Sequence, residues 1–345
     1  MTLDPAALRP FPTVLGRGLL AEIAAVAAPP VVVVTMPDLL PLFRDRLPDG
    51  AHVHLVGSLE RADLESQVAA LPPAASVVGL GGGQALDVAK YLAWRRHLPL
   101  HQLPTSLSVD AMFGQRAGVR EDGLVRYLGW AVPQSVYLDL DVIAAAPPRL
   151  NRAGLGDALC LLTGAWDWRH AHERGRCEPR WPFDARLAAH SESVAEDVLA
   201  GAQAIHDVSP EGIALLVRAF QWGGASYHAS GWCPRHVEGI EHQLFYALEA
   251  RTRRKFVHGE PVCLGIVLGA LLFDRRAEEL RQAIATAGVD IRPRAMGLAW
   301  DDVGAAVLAL PAFARDAGLP WGIAQDAPIT PATVRALRDL VESAP

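Results

Sequence analysis

Cysteine is scarce in this chain: Cys160, Cys177, Cys233 and Cys263 are the only four among 345 residues, and no two form a CxxC pair. That spacing excludes a disulfide-stapled scaffold and fits a reduced compartment, with thiols buried as small apolar groups. Charge is scarce too. Asp, Glu, Lys and Arg make up 20% of the chain and the formal net charge is −6. The strongest basic cluster, RTRRK at 251–255, is too short to form a nucleic-acid footprint, so nucleic acid is not an expected partner. No apolar run can span a bilayer, since the longest, 24–35 and 263–273, are interrupted or short. The opening MTLDPAALRPF lacks a basic segment followed by an apolar one, so no signal peptide is expected. These absences lead to the expectation of a soluble, cytoplasmic protein with no membrane partner.

What is plentiful is apolar material. Hydrophobic residues are 51% of the sequence, enough for sizeable cores. At roughly 150 residues per domain the length suggests two domains. The first half reads as alternating strands and helices. PVVVVT at 30–35 is a β-branched run with the look of a strand buried on both faces. Further strands are expected at 52–56, 76–80, near 100–103 and near 136–139, with helices at 38–46, 61–71 and 84–96. Strand, helix, strand in this order implies a parallel sheet flanked by helices. Pro147 and Pro148 mark a change of pattern. Beyond them helical periodicity dominates, at about 157–172, 184–204, 210–227, 237–251 and 260–287, with a last helix capped by Thr330 and begun by Pro331. The expected architecture is an α/β dinucleotide-binding domain over 1–148 and an all-helical domain over 149–345.

Two segments of the first domain carry chemistry. In VVGLGGGQALDVAK, Gly81, Gly82 and Gly83 follow a buried strand directly. Glycines there let the backbone approach an anion, and the amides of the next helix's first turn face it, so a pyrophosphate is the expected guest. A tight turn with no ligand is the plainer alternative, and the spacing is not the G-x-G-x-x-G fingerprint. Asp87 and Lys90, three apart on that helix, read as an exposed ion pair, with Asp87 also a candidate near the cofactor. The second segment places Thr105, Ser106 and Ser108 after Pro104, with Asp110 two residues on. In isolation it is a polar loop with an Asx turn.

These segments are not isolated. A glycine-rich turn, then PTSLSVDA at 104–111, then AGLGDA at 153–158, with EHQ at 241–243 and VHGEPV at 257–262, resembles the glycerol and glycerol-1-phosphate dehydrogenase family, of the iron-containing alcohol dehydrogenase and dehydroquinate synthase-like superfamily. The resemblance implies a metal- and NAD(P)-dependent oxidoreductase acting on a small polyol or polyol phosphate. It also implies a dehydroquinate synthase-like fold whose active site lies in the cleft between the two domains. It assigns Asp157, His242 and His258 as ligands of one divalent metal: zinc by ligand type, with iron or nickel equally compatible. The metal would ease ionisation of a substrate hydroxyl, and hydride would pass to the nicotinamide. Asp110 would hold a second substrate hydroxyl, with Thr105, Ser106 and Ser108 near the cofactor.

Each ligand has a duller role in isolation: Asp157 as a helix cap, His242 as a surface histidine with His228 and His236 as rivals, His258 as the cap of the helix after it. The basic cluster 251–255 could meet a substrate phosphate or merely complement a helix C-terminus. The strand 30–35 ends in Thr35 rather than in an acidic residue; Asp38 could substitute, and no basic residue lies nearby, so NAD is favoured over NADP. The segment 173–182 (ERGRCEPRWP) matches nothing in the family. A sugar-phosphate cyclase resembling 3-dehydroquinate synthase is the alternative, but its first metal ligand is typically glutamate where this chain has Asp157. A degenerate nucleotide-binding relative fits poorly with three retained ligands and a triple glycine. The family often forms homo-oligomers; the sequence fixes no number.

Overall fold

The computed structural model describes residues 8, 11–122 and 124–343; the segment 1–7, part of the stretch read as lacking a signal peptide, lies outside them. Its first half runs β1 (Thr13–Gly16), α1 (Leu20–Val26), β2 (Val31–Thr35), α2 (Leu40–Phe43), β3 (His52–Leu55), α3 (Arg61–Ala70), β4 (Ser76–Gly81) and α4 (Gly83–Arg96). It continues through β5 (Leu100–Pro104), β6 (Ala117–Glu121), β7 (Leu124–Leu128), β8 (Ser135–Asp139) and α5 (Leu140–Ala145). Six strands form one parallel sheet in the order β1-β8-β5-β4-β2-β3. The valines of β2, which lies between β4 and β3, explain why both of its faces are covered. Val32 and Val34 pack with Leu64 of α3 and Val88 and Leu92 of α4, whereas Val31 and Val33 pack with Ile23 of α1 and Phe43 of α2. Successive side chains point to opposite faces, so a strand covered by helices on both sides must be apolar at every position.

The second half is helical: α6 (Pro148–Ala153), α7 (Leu155–Glu173), α8 (Ala185–Ala200), α9 (Ala202–His206), α10 (Pro210–Ser230), α11 (Ile240–Thr252) and α12 (Gly259–Leu272), then α13 (Ala277–Thr286), α14 (Trp300–Asp316), α15 (Ile323–Asp326) and α16 (Pro331–Glu342). The described residues cluster into two units that divide between Pro147 and Pro148, with Leu8 grouped with the helical unit. In the helical unit α7 and α12 are buried on nearly every face, as helices apolar all round must be. Among the described residues no helix is long and apolar enough to cross a membrane, and all four cysteines are free thiols.

Several expectations need correction. The sequence reading missed β1 and the antiparallel hairpin β6–β7, a two-stranded sheet whose β6 also makes one bridge to Glu60 through Arg120. The helix expected over 184–204 breaks at Gly201, where α10 comes so close that a Cβ would lie 2.0 Å from Leu215 Cδ1. The long helix expected over 260–287 is two. Asp274 and Arg276 adopt φ of 50° and 56°, and Arg276 forms ion pairs with Glu196 and Glu279 that hold the chain in this reversal. The helix expected from 237 begins at Ile240, whose N–H is taken by the Asp167 carboxylate at 2.8 Å. The last helix, by contrast, starts as expected, with Thr330 at its N-cap and Pro331 at its first position; the Thr330 N–H donates to Thr333 Oγ1 at 3.1 Å.

Candidate metal centre and cofactor cradle

The three ligand candidates sit at the starts of three helices. Asp157 is the third residue of α7, His242 the third of α11, and His258 immediately precedes α12. Glycines bring these starts together. A Cβ on Gly156 would lie 2.6 Å from Gly259 Cα, one on Gly259 1.6 Å from the Ala153 carbonyl oxygen, and one on Gly265 2.5 Å from Glu241 Cα. Helix backbones therefore touch where AGLGDA and HGE cross, an approach closed to any other residue. The side chains next to those glycines are forced into contact.

His258 Nε2 lies 2.9 Å and His242 Nε2 3.7 Å from Asp157 Oδ1, and the two imidazole centroids are 5.3 Å apart. One ligand atom from each residue lies within 4.8 Å of the others. Tetrahedral zinc with bonds of about 2.0–2.1 Å needs ligand atoms roughly 3.3 Å apart, so the donor set fits a divalent ion. Asp157 and His242 are buried, so His242 is not a surface histidine, and His258 stands at the N-cap of α12 but its side chain makes no capping hydrogen bond there. The His258 side chain remains 18% exposed, which leaves one side of the cluster open to a ligand.

The charge of the cluster is shared between neighbours. Burial pushes the Asp157 carboxyl up, but the imidazoles of His258 and His242 outweigh it and hold the group well below the usual carboxylate range. Burial lowers His242, yet Asp157 and Glu241 raise it well above the ordinary histidine value. Glu241, fully buried, places Oε1 3.1 Å from His242 Nδ1 and accepts the Thr163 hydroxyl on Oε2 at 2.8 Å. Glu260 of the HGE motif is gripped by the Arg149 guanidinium, with bonds of 2.5 and 2.8 Å. Glu241, Thr163 and Arg149 were not singled out as site residues from sequence. The only available signal was that Glu241 directly precedes His242 and that Glu260 stands two residues after His258.

The rivals fall away from this cluster. His236 is fully buried among Trp168, Trp222 and Tyr227, with Nε2 2.7 Å from Ser226 Oγ, and burial lowers it to about 4. His228 is exposed on the last turn of α10. Arg251 and Arg254 line a surface cavity of about 440 Å³ with Thr252 and Asp302, and no member of the Asp157–His242–His258 cluster lines it.

In the α/β unit the remaining candidates gather at the carboxyl ends of β2, β4 and β5. Thr35 ends β2 beside Leu80, and Gly81 ends β4 beside Pro104. The chain leaves β2 toward β3 and β4 toward β5, in opposite directions, so the β2–β4 pair is the switch point where ligands of such sheets bind. Gly82 caps α4, and a Cβ on it would meet nothing within 4 Å. The Thr105 N–H bonds the Gly81 carbonyl at 3.0 Å, tying the hydroxyl loop to the glycine turn, and Ser106 Oγ donates to Ser108 Oγ at 3.4 Å. The buried Thr35 Oγ1 has no partner among the described residues, an orphaned polar atom that suits a cofactor cradle. Asp38 is exposed just past β2, and Asp110 is partly exposed in the hydroxyl loop. Asp87 is committed elsewhere, and the exposed pair expected of it is corrected. Lys90 is only 2% exposed, bonds Asp87 at 2.8 Å and donates to the Arg116 carbonyl at 2.7 Å, because α4 lies against β6 there.

Comparison with known proteins identifies the family. The family model described as iron-containing alcohol dehydrogenase matches residues 12–147. The glycerol-1-phosphate dehydrogenase, NAD(P)+, of Thermoplasma acidophilum is 32% identical over 72% of this chain and 69% of its own length. Its counterpart from Thermoplasma volcanium is 30% identical over 64% of this chain and 62% of its own length, so the chain spans a little under two thirds of that relative. The crystal structure of glycerol dehydrogenase from Schizosaccharomyces pombe superposes with a TM-score of 0.72 at 19% identity, covering 96% of this chain and 90% of that one. The chain belongs to the glycerol-1-phosphate dehydrogenase family of iron-containing alcohol dehydrogenase-like proteins.

Proposed function

We propose that this protein is a metal-dependent, NAD(P)-linked oxidoreductase that interconverts a small polyol phosphate and its ketone. The observation that carries the reading is the meeting of one carboxylate and two imidazoles, Asp157, His242 and His258, in a member of this family. When bound, a divalent ion there supplies a Lewis acid for the substrate oxygen and the nicotinamide carries the hydride. The chain's own residues do the rest. Asp157, His242 and His258 hold the ion, zinc by their mixture of carboxylate and imidazole. The amides after Gly82 and the open face of that glycine receive the cofactor pyrophosphate, with Thr35 and the Thr105–Ser108 hydroxyls alongside. Asp110 accepts a hydrogen bond from a second substrate hydroxyl and so orients the carbon that loses hydride. Asp38 beyond β2 favours NAD over NADP.

Two arguments support a phosphorylated substrate. The family relatives act on glycerol 1-phosphate by name. The N-terminal ends of α7, α11 and α12 also meet at the cluster, and such ends favour anions. The test is oxidation of NADH or NADPH, followed at 340 nm, by zinc-, iron- or nickel-loaded protein with dihydroxyacetone phosphate, dihydroxyacetone and other small carbonyl compounds. Turnover with the phosphate ester that EDTA abolishes is expected. Silence across the panel from protein that still binds metal and NAD overturns the reading.

A further inference from the structure

His242 has two ring nitrogens and only one can face the metal position. Nε2 points toward Asp157, and Nδ1 lies 3.1 Å from Glu241 Oε1. Adjacent residues on a helix normally diverge by about 100°. The contact therefore requires the Glu241 side chain to be folded back and held. The structure shows what holds it. The Gly239 N–H donates to Oε1, and the Thr163 hydroxyl, reaching across from α7, donates to Oε2 at 2.8 Å. Gly239 and Gly265 make the room. A Cβ on Gly239 would lie 3.1 Å from Glu241 Oε2, and one on Gly265 would lie 2.5 Å from Glu241 Cα. Glu241 is 0% exposed, and no arginine or lysine bonds its carboxylate in the described structure. A buried carboxylate is costly unless its partners are well placed.

We infer that Glu241 is a positioning residue for the metal centre: fixed by Thr163 and the Gly239 amide, its carboxylate accepts the His242 Nδ1 proton and so keeps Nε2 free and aimed at the ion. A metal-bound imidazole whose other N–H is held by a carboxylate is both fixed in tautomer and more basic as a ligand. Thr163 belongs to the same device, because it keeps the carboxylate from turning away. The inference rests on the metal-centre reading above.

The experiment compares wild type, Glu241→Gln and Thr163→Val in zinc competition against a chromophoric chelator, beside thermal melts of the metal-free proteins and the ligand-field spectra of the cobalt-loaded ones. Loss of such a partner typically weakens metal binding about 10- to 100-fold. A fall of at least 10-fold is expected for Glu241→Gln and a smaller one for Thr163→Val, with an altered cobalt spectrum in the first. Metal-free melting temperatures are expected to stay close to wild type. If both variants bind zinc as tightly as wild type, the inference is overturned, and a lowered melting temperature with unchanged zinc affinity returns Glu241 to the role of a helix cap alone. Failure of the wild-type protein to bind zinc is a different result, and it sinks the metal-centre reading instead.

Discussion

Replacing Gly259 with alanine tests whether the ligands are assembled by backbone contact between helices. The added Cβ would lie 1.6 Å from the Ala153 carbonyl oxygen, whereas real Cβ atoms essentially never come within 3.0 Å of such an atom. The neighbour is backbone on both sides, so no side chain can rotate out of the way. The first turn of α12 must therefore retreat by about 1.4 Å, and overpacking of this kind costs about 1–3 kcal/mol. His258 precedes Gly259 and moves with it. A full shift along the contact would open its 2.9 Å approach to Asp157 to about 4.3 Å, against a tolerance in metal–ligand distance of about 0.2 Å. Loss of one of three ligands on this scale should weaken zinc binding by about 100-fold or more, some 2.8 kcal/mol at 1.4 kcal/mol per decade. Competition titration with a chelator measures it, with Gly57→Ala as control because a Cβ there meets nothing within 4 Å. A folded Gly259→Ala protein that binds zinc like wild type would refute the argument that this crossing builds the site.

Removing a ligand directly is simpler: Asp157→Ala or His258→Ala should abolish metal binding and turnover in a protein that remains folded by circular dichroism, and full metal content with full activity in either variant would withdraw the assignment. Neutralising Arg253, Arg254 and Lys255 together should raise KM for a phosphorylated substrate and leave that for glycerol unchanged if the cluster meets the phosphate; equal effects on both return it to a helix-end role. The stability of the helical unit should also reveal two buried groups of opposite sign. Burial lowers His236 to about 4, so its contribution is present above the unfolded value of 6.5 and is lost as pH falls toward 4. Burial raises Asp167 from 3.8 to about 6 despite Arg235 nearby, so its contribution is present below 3.8 and lost as pH rises through 6. Each is worth about 3 kcal/mol at most, and they nearly cancel in wild type. In Asp167→Asn, urea unfolding in EDTA should therefore show stability rising with pH between 4 and 6.5 more steeply than in wild type; an identical slope would remove Asp167 as the compensating group.

Sequence alone determined those parts of the protein whose cause is local. The valine run of β2 had to be buried on both faces, and the glycines ending β4 and opening α4 marked a tight strand-to-helix turn. The motifs PTSLSVDA, AGLGDA and HGE resembled those of one family, and family membership followed. What escaped was set by partners far along the chain. The strands β6 and β7 are short and partly polar, and they exist because they pair with each other. The breaks at Gly201 and Arg276 depend on Leu215 and Glu196, 14 and 80 residues away, as well as on the neighbouring Glu279. Among the histidines, residue type could not separate His242 from His236 or His228. Only tertiary packing brings one beside Asp157, buries another among tryptophans and leaves the third in solvent. The same holds for Glu241, whose direction on the helix is imposed by Thr163 and two glycines rather than by its own sequence position. A side chain's identity is local, but the direction in which its polar atoms point is decided by whatever packs against it.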